Sequence, residues 1–316
     1  QFYLDYRTYL ENNSFEHIQP TISLRSLCRS LKICLACTHI DDPRRCLYEG
    51  IVISFLSNLN NVSFSYWNDY LKRIFSSSFH TFSHKFPISS DGFVEVEGFP
   101  ISIGRSQPFI DKNYIVTNII KHKIKILSRI LSLSNLPILL EGETAVGKTS
   151  IVFYIAKKTG NNCIRINNHE HTDIQDYVGS YICNPDGLFY FQVGALVEAM
   201  RRGDWVVLDE LNLAPSDVLE MLNRLLDDNR QLFIDETQET VIAHPNFRLF
   251  ATQNPAKFYS GRKELSKAFR NRFCEICCND ISNPDNISKI LQRRYGLGEK
   301  ICSFMVSTMQ EFHILR

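Results

Sequence analysis

Apolar and polar positions change their spacing several times along this chain, and the central part is the most regular. Between residues 113 and 277, short apolar runs alternate with longer segments of helical spacing. The runs that predict buried strands are 136–140, 163–167, 204–209 and 247–253. The segments that predict helices are 117–133, 148–158 and 215–227. Strands and helices in alternation indicate an α/β domain around a parallel sheet.

Three further segments alternate with a period of two residues and predict β-hairpins. The first lies within 91–104. The second interrupts the helical segments of 172–202, and Asn184–Gly187 has the composition of its turn. The third lies within 229–245, ahead of the last core strand. We therefore expect one hairpin inserted into a helix and another placed before that strand.

The two ends of the chain have helical spacing, which distinguishes them from the central domain. Residues 1–82 are rich in serine, leucine and aromatic residues, and 278–316 are predicted to be helical again. We assign 83–112 to a linker that contains the first hairpin, and 113–277 to the α/β core. The chain begins without a methionine or a signal-peptide pattern, so we expect it to be cut from a longer protein.

A glycine-rich loop between a predicted strand and the following helix carries the strongest chemical signal. Its sequence, GETAVGKT, matches the phosphate-loop pattern G-x-x-x-x-G-K-[ST] in the strand–loop–helix context that the pattern needs. Glycines let the backbone fold around phosphate oxygens, and N–H groups at the helix start point toward them. Lys148 would reach the β- and γ-phosphates of ATP, and Thr149 would offer its hydroxyl to Mg²⁺. The residues expected to hold ATP are Gly142, Glu143, Thr144, Ala145, Val146, Gly147, Lys148, Thr149 and Ser150.

Polar side chains follow two other predicted strands. Asp209 and Glu210 come at the end of one strand, and Asn254 follows another. Ligands of parallel sheets bind beyond the carboxyl ends of the strands, so Asp209 is placed to hold Mg²⁺ and Glu210 to deprotonate an attacking water. The Asn254 amide would hold that water or the γ-phosphate without adding charge. The alternative is that Asn254 and Pro255 only start a turn.

Four arginines form two candidate sets. Arg270 and Arg272 follow Asn254 in the chain, and arginines near a phosphoryl-transfer site can act as fingers because the guanidinium binds phosphate in a bidentate manner. Arg25 and Arg29 lie four residues apart on one face of a predicted helix. The alternative for each pair is a solvated arginine pair on a helix surface.

Composition and charge narrow the class of protein. Hydrophobic residues make up 44% of the 316 residues, which is typical of a globular protein. The net charge of +1 gives no indication of contact with nucleic acid. No apolar run is long enough to predict a membrane span, so we expect no direct membrane contact.

Cysteine and histidine spacings suggest metal sites only weakly. The chain has ten cysteines, including the runs 34–37 and 274–277, which each have the spacing of half a zinc site. The two runs are too far apart in sequence for a compact zinc ribbon, so we expect reduced thiols in a cytosolic or nuclear protein. His169 and His171 lie two residues apart, not four as on a zinc-binding helix, and we expect a structural loop near the nucleotide.

The order of these motifs resembles an AAA+ ATPase module, and the two inserted hairpins resemble its MoxR/dynein-like branch. Longer runs are similar to the midasin family, a group of large dynein-related ATPases. These runs are 165–177, 208–215, 222–230, 250–255 and 261–273. The segment 21–29 resembles the sensor-2 helix in the lid of a preceding module, and 278–316 resembles the start of this module's own lid. The resemblance implies an α/β fold: a three-layer P-loop AAA+ core, a parallel sheet with both hairpins, flanked by helical lid segments.

The resemblance also implies a function. By carry-over, residues 142–149 bind ATP with Mg²⁺, Asp209 and Glu210 are the Walker B acids, and Asn254 is sensor 1. Arg270 or Arg272 is the finger that reaches the site of a neighbouring module of the same chain. Members of the family use ATP turnover to release assembly factors from pre-60S ribosomal particles in the nucleolus and nucleoplasm. We therefore expect a nuclear protein whose partners are neighbouring AAA+ modules, the pre-60S particle and its assembly factors.

Two alternatives of other kinds remain open at the level of sequence. The chain could be a structural module of the ring, which holds ATP with negligible hydrolysis. It could also be a MoxR-like ATPase that acts on another target; the mitochondrial von Willebrand-domain protein is an example of such an ATPase. The run 167–171 favours the midasin family over that second alternative.

Overall fold

The computed structural model describes residues 2–12, 23–37, 42–59, 61–75, 92–255, 264–278 and 284–314. The predicted boundary between residues 82 and 83 falls outside these ranges, as do the residues 261–263 of one midasin-like run. The four-part division of the chain therefore stays a prediction.

The N-terminal part of the chain is helical, as its spacing predicted. It contains helices α1 (Phe2–Asn12), α2 (Leu24–Ala36) and α3 (Pro43–Ile51), a π-helical turn (Val52–Leu56) and α4 (Asn61–Ile74). Side chains cap the N-termini of two helices. The Ser23 hydroxyl accepts from a backbone N–H of α2, and the Asp42 carboxylate accepts from a backbone N–H of α3. Aromatic rings of α1, the π-helical turn and α4 pack edge to face, with Tyr6 and Trp67 centroids 4.9 Å apart.

The core alternates strands and helices in the predicted order. Strands β1 (Phe93–Val96) and β2 (Phe99–Ser102) come first, followed by α5 (Asn118–Leu133), β3 (Ile138–Glu141), α6 (Lys148–Thr159), β4 (Cys163–Asn167) and α7 (Ile174–Val178). Then come β5 (Gly179–Cys183), β6 (Phe189–Val193), α8 (Ala195–Arg202), β7 (Trp205–Asp209), a 3₁₀ turn (Leu211–Leu213) and α9 (Ser216–Leu225). The rest are β8 (Gln231–Ile234), β9 (Glu239–Ile242), β10 (Arg248–Gln253), α10 (Lys267–Arg270), β11 (Cys274–Cys277), α11 (Pro284–Tyr295) and α12 (Glu299–Ile314).

Five strands form one parallel sheet in the order β11-β3-β10-β7-β4. Alternate residues of β3 face two different cores. Ile138 and Leu140 pack in the cluster that contains α5 and α6, whereas Leu139 packs in the cluster that contains α7, α8 and α9. Helices thus cover both faces of the sheet, and the expected three-layer α/β architecture is confirmed.

The three predicted hairpins are all present as antiparallel pairs: β1 with β2, β5 with β6, and β8 with β9. The β5–β6 hairpin lies between α7 and α8, and the β8–β9 hairpin precedes β10. The sequence does not predict strand β11, because CEIC is only four residues long and its one recognisable feature is the spacing of its cysteines. The C-terminal helical segment consists of two helices, α11 and α12, with residues 296–298 between them.

The N-terminal helices pack against the core near β11. The apolar core of α5 and α6 continues into the N-terminal helices. Arg129 of α5 forms a buried ion pair with Glu49 of α3, and its Nε lies 2.7 Å from the carboxylate Oε2. Arg29 of α2 donates to the carbonyl oxygens of Asn271 and Phe273 at 2.5 and 2.9 Å. The segment that carries Arg270 and Arg272 is therefore held from the N-terminal side.

Candidate nucleotide-binding site

The loop between β3 and α6 has the backbone shape that its glycines predicted. Gly147 has φ +83°, and Ala145 lies in the same left-handed region with φ +65°. Helix α6 begins at Lys148 directly after the loop, and no side chain caps its first turn. The N–H groups of that turn and the helix dipole therefore favour an anion at this position.

Lys148 is buried and points back across this loop. Its ammonium donates to the carbonyl oxygens of Gly142 and Glu143 at 2.8 and 2.6 Å, and to Asn254 Oδ1 at 2.7 Å. The amide of Asn254 in turn donates to Glu210 Oε1 at 3.2 Å. Asn254 thus connects the lysine of the loop with the acid expected to activate water.

Asp209 ends β7 with its side chain almost fully buried. Its Oδ1 accepts from the Thr149 hydroxyl at 3.1 Å and from the Thr252 hydroxyl. Its Oδ2 lies 2.5 Å from Nη2 of Arg165 on the neighbouring strand β4. The two oxygens expected to bind Mg²⁺, those of Thr149 and Asp209, are therefore adjacent, which suits a hard cation with oxygen ligands.

Glu210 follows in an unusual backbone conformation. Its φ is +53°, in the left-handed region that a non-glycine residue seldom adopts. Its N–H donates to the Thr252 hydroxyl at 3.0 Å. The side chain is only partly buried and turns toward Asn254. Local strain of this kind persists where surrounding contacts fix it, and here those contacts point the carboxylate toward the phosphate loop.

Sequence reasoning missed several residues that shape this site. The Thr252 hydroxyl accepts from the backbone N–H of Glu210 and donates to Asp209 Oδ1, and Thr252 is 1% exposed. Asn168 Nδ2 donates to the Asp209 carbonyl oxygen at 2.8 Å, and Asn212 Nδ2 donates to that of Asn254 at 3.0 Å. Both asparagines are buried. The available signal was position, because all three lie at or just beyond the carboxyl ends of core strands.

The remaining residues of the loop are more exposed. Glu143, Thr144 and Ala145 are exposed, and Val146 packs partly against the core. The Ser150 hydroxyl donates to the Gly147 carbonyl oxygen at 2.8 Å. The outer side of the loop is therefore open to solvent, while Lys148 closes its inner side.

Arg270 lies behind the phosphate loop. Its Nη2 donates to Glu141 Oε2 at 3.0 Å, and its Nε donates to Glu275 Oε1 at 2.7 Å. Burial raises the pKa of the Glu141 carboxyl, and the charge of Arg270 acts in the opposite direction. Because Glu141 directly precedes Gly142, Arg270 supports the strand end from which the loop departs.

Arg272 faces a different surface. It forms an ion pair with Asp227 and donates to the Asn223 carbonyl oxygen at 3.2 Å. It lines a cavity of about 320 Å³ together with Arg25 and Arg29 of α2. The structure thus brings the N-terminal arginine pair and Arg272 together, whereas Arg270 is turned away toward the sheet.

In the described ranges, no group of three or more histidine, cysteine or acidic residues is arranged to hold a metal ion. All ten cysteines lie in the described ranges, and none of them forms a disulfide. His169 lies in the loop after β4, where its N–H donates to the Thr172 hydroxyl at 2.8 Å. Among the described residues no helix is both long and apolar enough to cross a membrane.

The fold and the placement of these side chains define the class of protein first. Residues 137–273 match the family model described as the AAA domain of the dynein-related subfamily. The chain is also 30% identical to the denitrification regulatory protein NirQ of Pseudomonas aeruginosa, over 60% of this chain and 71% of that protein. This is an AAA protein, as the motif order predicted.

The N-terminal helices indicate the particular family. Residues 1–78 match the model described as the midasin AAA lid domain. The chain is 44% identical over its whole length to midasin of Dictyostelium discoideum, and 39% identical over 92% of its length to midasin of Giardia intestinalis. The chain belongs to the midasin family. It spans 6% of the length of each of these two relatives.

Proposed function

We propose that this chain binds ATP with Mg²⁺ and hydrolyses it as one module of a larger motor. The observation that carries the proposal is the contact of Asn254 with both Lys148 and Glu210. This contact joins the phosphate loop to the acids of β7, so that binding and water activation share one cluster. Membership of an ATPase family supports the same conclusion.

Each residue has a role that follows from its position. Lys148 and the N–H groups that begin α6 would hold the β- and γ-phosphates. Thr149 and Asp209 would hold Mg²⁺, which when bound neutralises phosphate charge. Glu210 would take the proton of the attacking water, and Asn254 would keep that carboxylate oriented.

We infer that Arg272, rather than Arg270, serves the site of a neighbouring module. Arg270 is bound to two carboxylates, and those of Glu141 and Glu275 are only 6% and 11% exposed. Releasing it would leave buried charges unpaired, which is costly. The partner of Arg272 is Asp227, whose side chain is 45% exposed. Water can solvate that carboxylate when Arg272 moves to a phosphate.

The proposed cellular role is the release of assembly factors from pre-60S ribosomal particles in the nucleus. Similarity to midasins over the whole chain supports this role. The similarity to NirQ covers only 60% of the chain, whereas the lid match extends to the N-terminal helices, so the midasin role is favoured over a MoxR-like role on another target. Particle purification from cells with a Glu210→Gln substitution tests it: assembly factors should remain bound.

Binding and hydrolysis are tested by a pair of substitutions. Lys148→Ala removes the ammonium that compensates phosphate charge, and it should abolish most ATP affinity in calorimetry. Glu210→Gln keeps the shape and removes the base. Nucleotide should still bind, while hydrolysis by a protein that includes the neighbouring modules should fall by roughly 10²–10⁴. Equal ATP affinity in the Lys148→Ala variant and the parent would contradict the proposed site. Unchanged hydrolysis by Glu210→Gln in that longer protein would show that Glu210 is not the base. Negligible hydrolysis at this site of the unsubstituted protein would favour a module that only holds nucleotide.

A further inference from the structure

The Asp209 carboxylate has a cationic partner that the motifs do not assign. Arg165 lies on β4, next to β7 in the parallel sheet, and its Nη2 is 2.5 Å from Asp209 Oδ2. The other oxygen, Oδ1, accepts from Thr149 and Thr252. One oxygen of the carboxylate therefore binds two hydroxyls, and the other binds a guanidinium.

Burial explains why Asp209 needs a counter-ion. The side chain of Asp209 is 9% exposed, and a carboxylate at that depth is unfavourable without charge compensation. Lys148 donates to two loop carbonyls and to Asn254. In the described ranges the ion pair of Asp209 is made with Arg165.

The two partners differ strongly in exposure. The Arg165 side chain is 54% exposed, against 9% for Asp209. The arginine can therefore leave the carboxylate and remain solvated, whereas Asp209 cannot leave its position at the end of β7. A divalent cation that approaches Asp209 meets a guanidinium of like charge on the same carboxylate.

We propose that Arg165 is a positioning residue that competes with Mg²⁺ for Asp209 and sets the Mg²⁺ concentration needed for tight nucleotide binding. The proposal rests on the proposed function, since it assumes that the site binds ATP with Mg²⁺. Without the metal, Arg165 neutralises Asp209 and keeps it from repelling phosphate. When Mg²⁺ is bound, the Arg165 guanidinium would no longer contact the Asp209 carboxylate.

The consequence is a variant with a lower Mg²⁺ requirement. Arg165→Gln removes the competing cation and leaves Thr149, Asp209 and Lys148 unchanged. The Mg²⁺ concentration for half-maximal binding of a fluorescent ATP analogue should fall by roughly two- to fivefold, the size typical of a half-exposed ion pair. Arg165→Lys keeps a cation and should stay close to the parent.

The experiment titrates Mg²⁺ into this chain at a fixed concentration of the analogue, and repeats the binding measurement in EDTA. The matched control is Arg201→Gln, which removes a similarly exposed arginine from its pair with Glu239 on α8 and β9. Circular dichroism melting checks that each variant folds. If Arg165→Gln does not fold, Arg165→Met is measured in its place, because its apolar stem retains the packing of the arginine.

The outcomes separate the inference from the proposed function. A lower Mg²⁺ requirement in Arg165→Gln but not in Arg201→Gln or Arg165→Lys supports the inference. An unchanged Mg²⁺ requirement overturns it. Unchanged binding of the analogue by Arg165→Gln in EDTA also overturns it, because Asp209 would then repel the phosphates no more strongly without its counter-ion. If the parent does not bind the analogue at any Mg²⁺ concentration, the proposed function fails and the inference fails with it.

Discussion

The Thr252 hydroxyl is the smallest group on which both acids of the site depend, so its removal gives a sharp prediction. It accepts from the Glu210 N–H at 3.0 Å and donates to Asp209 Oδ1. Thr252→Val keeps the branched shape at this buried position on β10 and removes only the hydroxyl. The Glu210 N–H and Asp209 Oδ1 then each lose a hydrogen bond, because the valine methyl group in place of the hydroxyl can neither accept nor donate one.

The expected magnitude follows from the two bonds that are lost. A buried group left without its partner costs about 1–3 kcal/mol, and a bond to a charged group contributes about 1.5–3 kcal/mol. Because Asp209 keeps Thr149 and Arg165, only part of the second value applies. Thr252→Val should therefore lower the free energy of unfolding by roughly 2–4 kcal/mol. Thr252→Ser keeps the hydroxyl and should lose less.

Urea unfolding of the parent and both variants measures this difference, and ATP turnover in a protein with neighbouring modules measures its effect on the site. Glu210 in its left-handed conformation loses its backbone anchor, so turnover should fall more than ATP affinity does. The reasoning is refuted if Thr252→Val unfolds at the same urea concentration as the parent. It is also refuted if Thr252→Ser is as damaging as Thr252→Val, since the methyl group and not the hydroxyl would then matter.

Two further predictions concern the packing of the N-terminal helices and the thiols. Glu49→Gln breaks the buried ion pair with Arg129 and should lower the free energy of unfolding in urea by about 3–5 kcal/mol. The control Glu239→Gln breaks an exposed ion pair with Arg201 and should lower it by less than about 1 kcal/mol. Equal effects would show that Glu49 adds nothing through its charge. Burial raises the pKa of the Cys37 and Cys163 thiols to about 12, so both stay protonated at pH 8. Mass spectrometry should show that both react with iodoacetamide far more slowly than the exposed Cys183. Fast labelling of Cys37 would contradict its burial.

Most of the fold could be predicted because its signals are local. Continuous apolar runs such as β7 and β10 identify buried parallel strands from sequence alone, and turn residues such as Asn184–Gly187 identify the hairpins. Strand β11 was missed because its four residues carry no periodic signal and gain their place only by pairing with β3. Pairing at such a distance in the chain is a tertiary effect.

The candidate site divides in the same way. Lys148, Asp209 and Asn254 could be predicted as site residues from sequence, because each lies at the end of a strand or loop with a recognisable pattern. Thr252 lies near the carboxyl end of β10 and Arg165 lies in the middle of β4, and neither belongs to a recognisable motif, so both were missed. Their roles depend on which strand is the neighbour, and the order β3-β10-β7-β4 is fixed by packing. The choice between Arg270 and Arg272 likewise depended on their ion-pair partners.

We propose that this chain is an ATPase module whose catalysis is completed by a neighbouring module. The most direct measurement is steady-state ATP hydrolysis by this chain alone and by a longer protein that includes the neighbouring modules. We expect the chain alone to bind ATP with Mg²⁺ but to hydrolyse it very slowly, because a finger supplied by a neighbour contributes about 10³–10⁵ in rate. In the longer protein turnover should rise sharply, and Arg272→Ala should reduce it at the neighbour's site. Fast turnover by the chain as a monomer, unaffected by Arg272→Ala, would contradict the account.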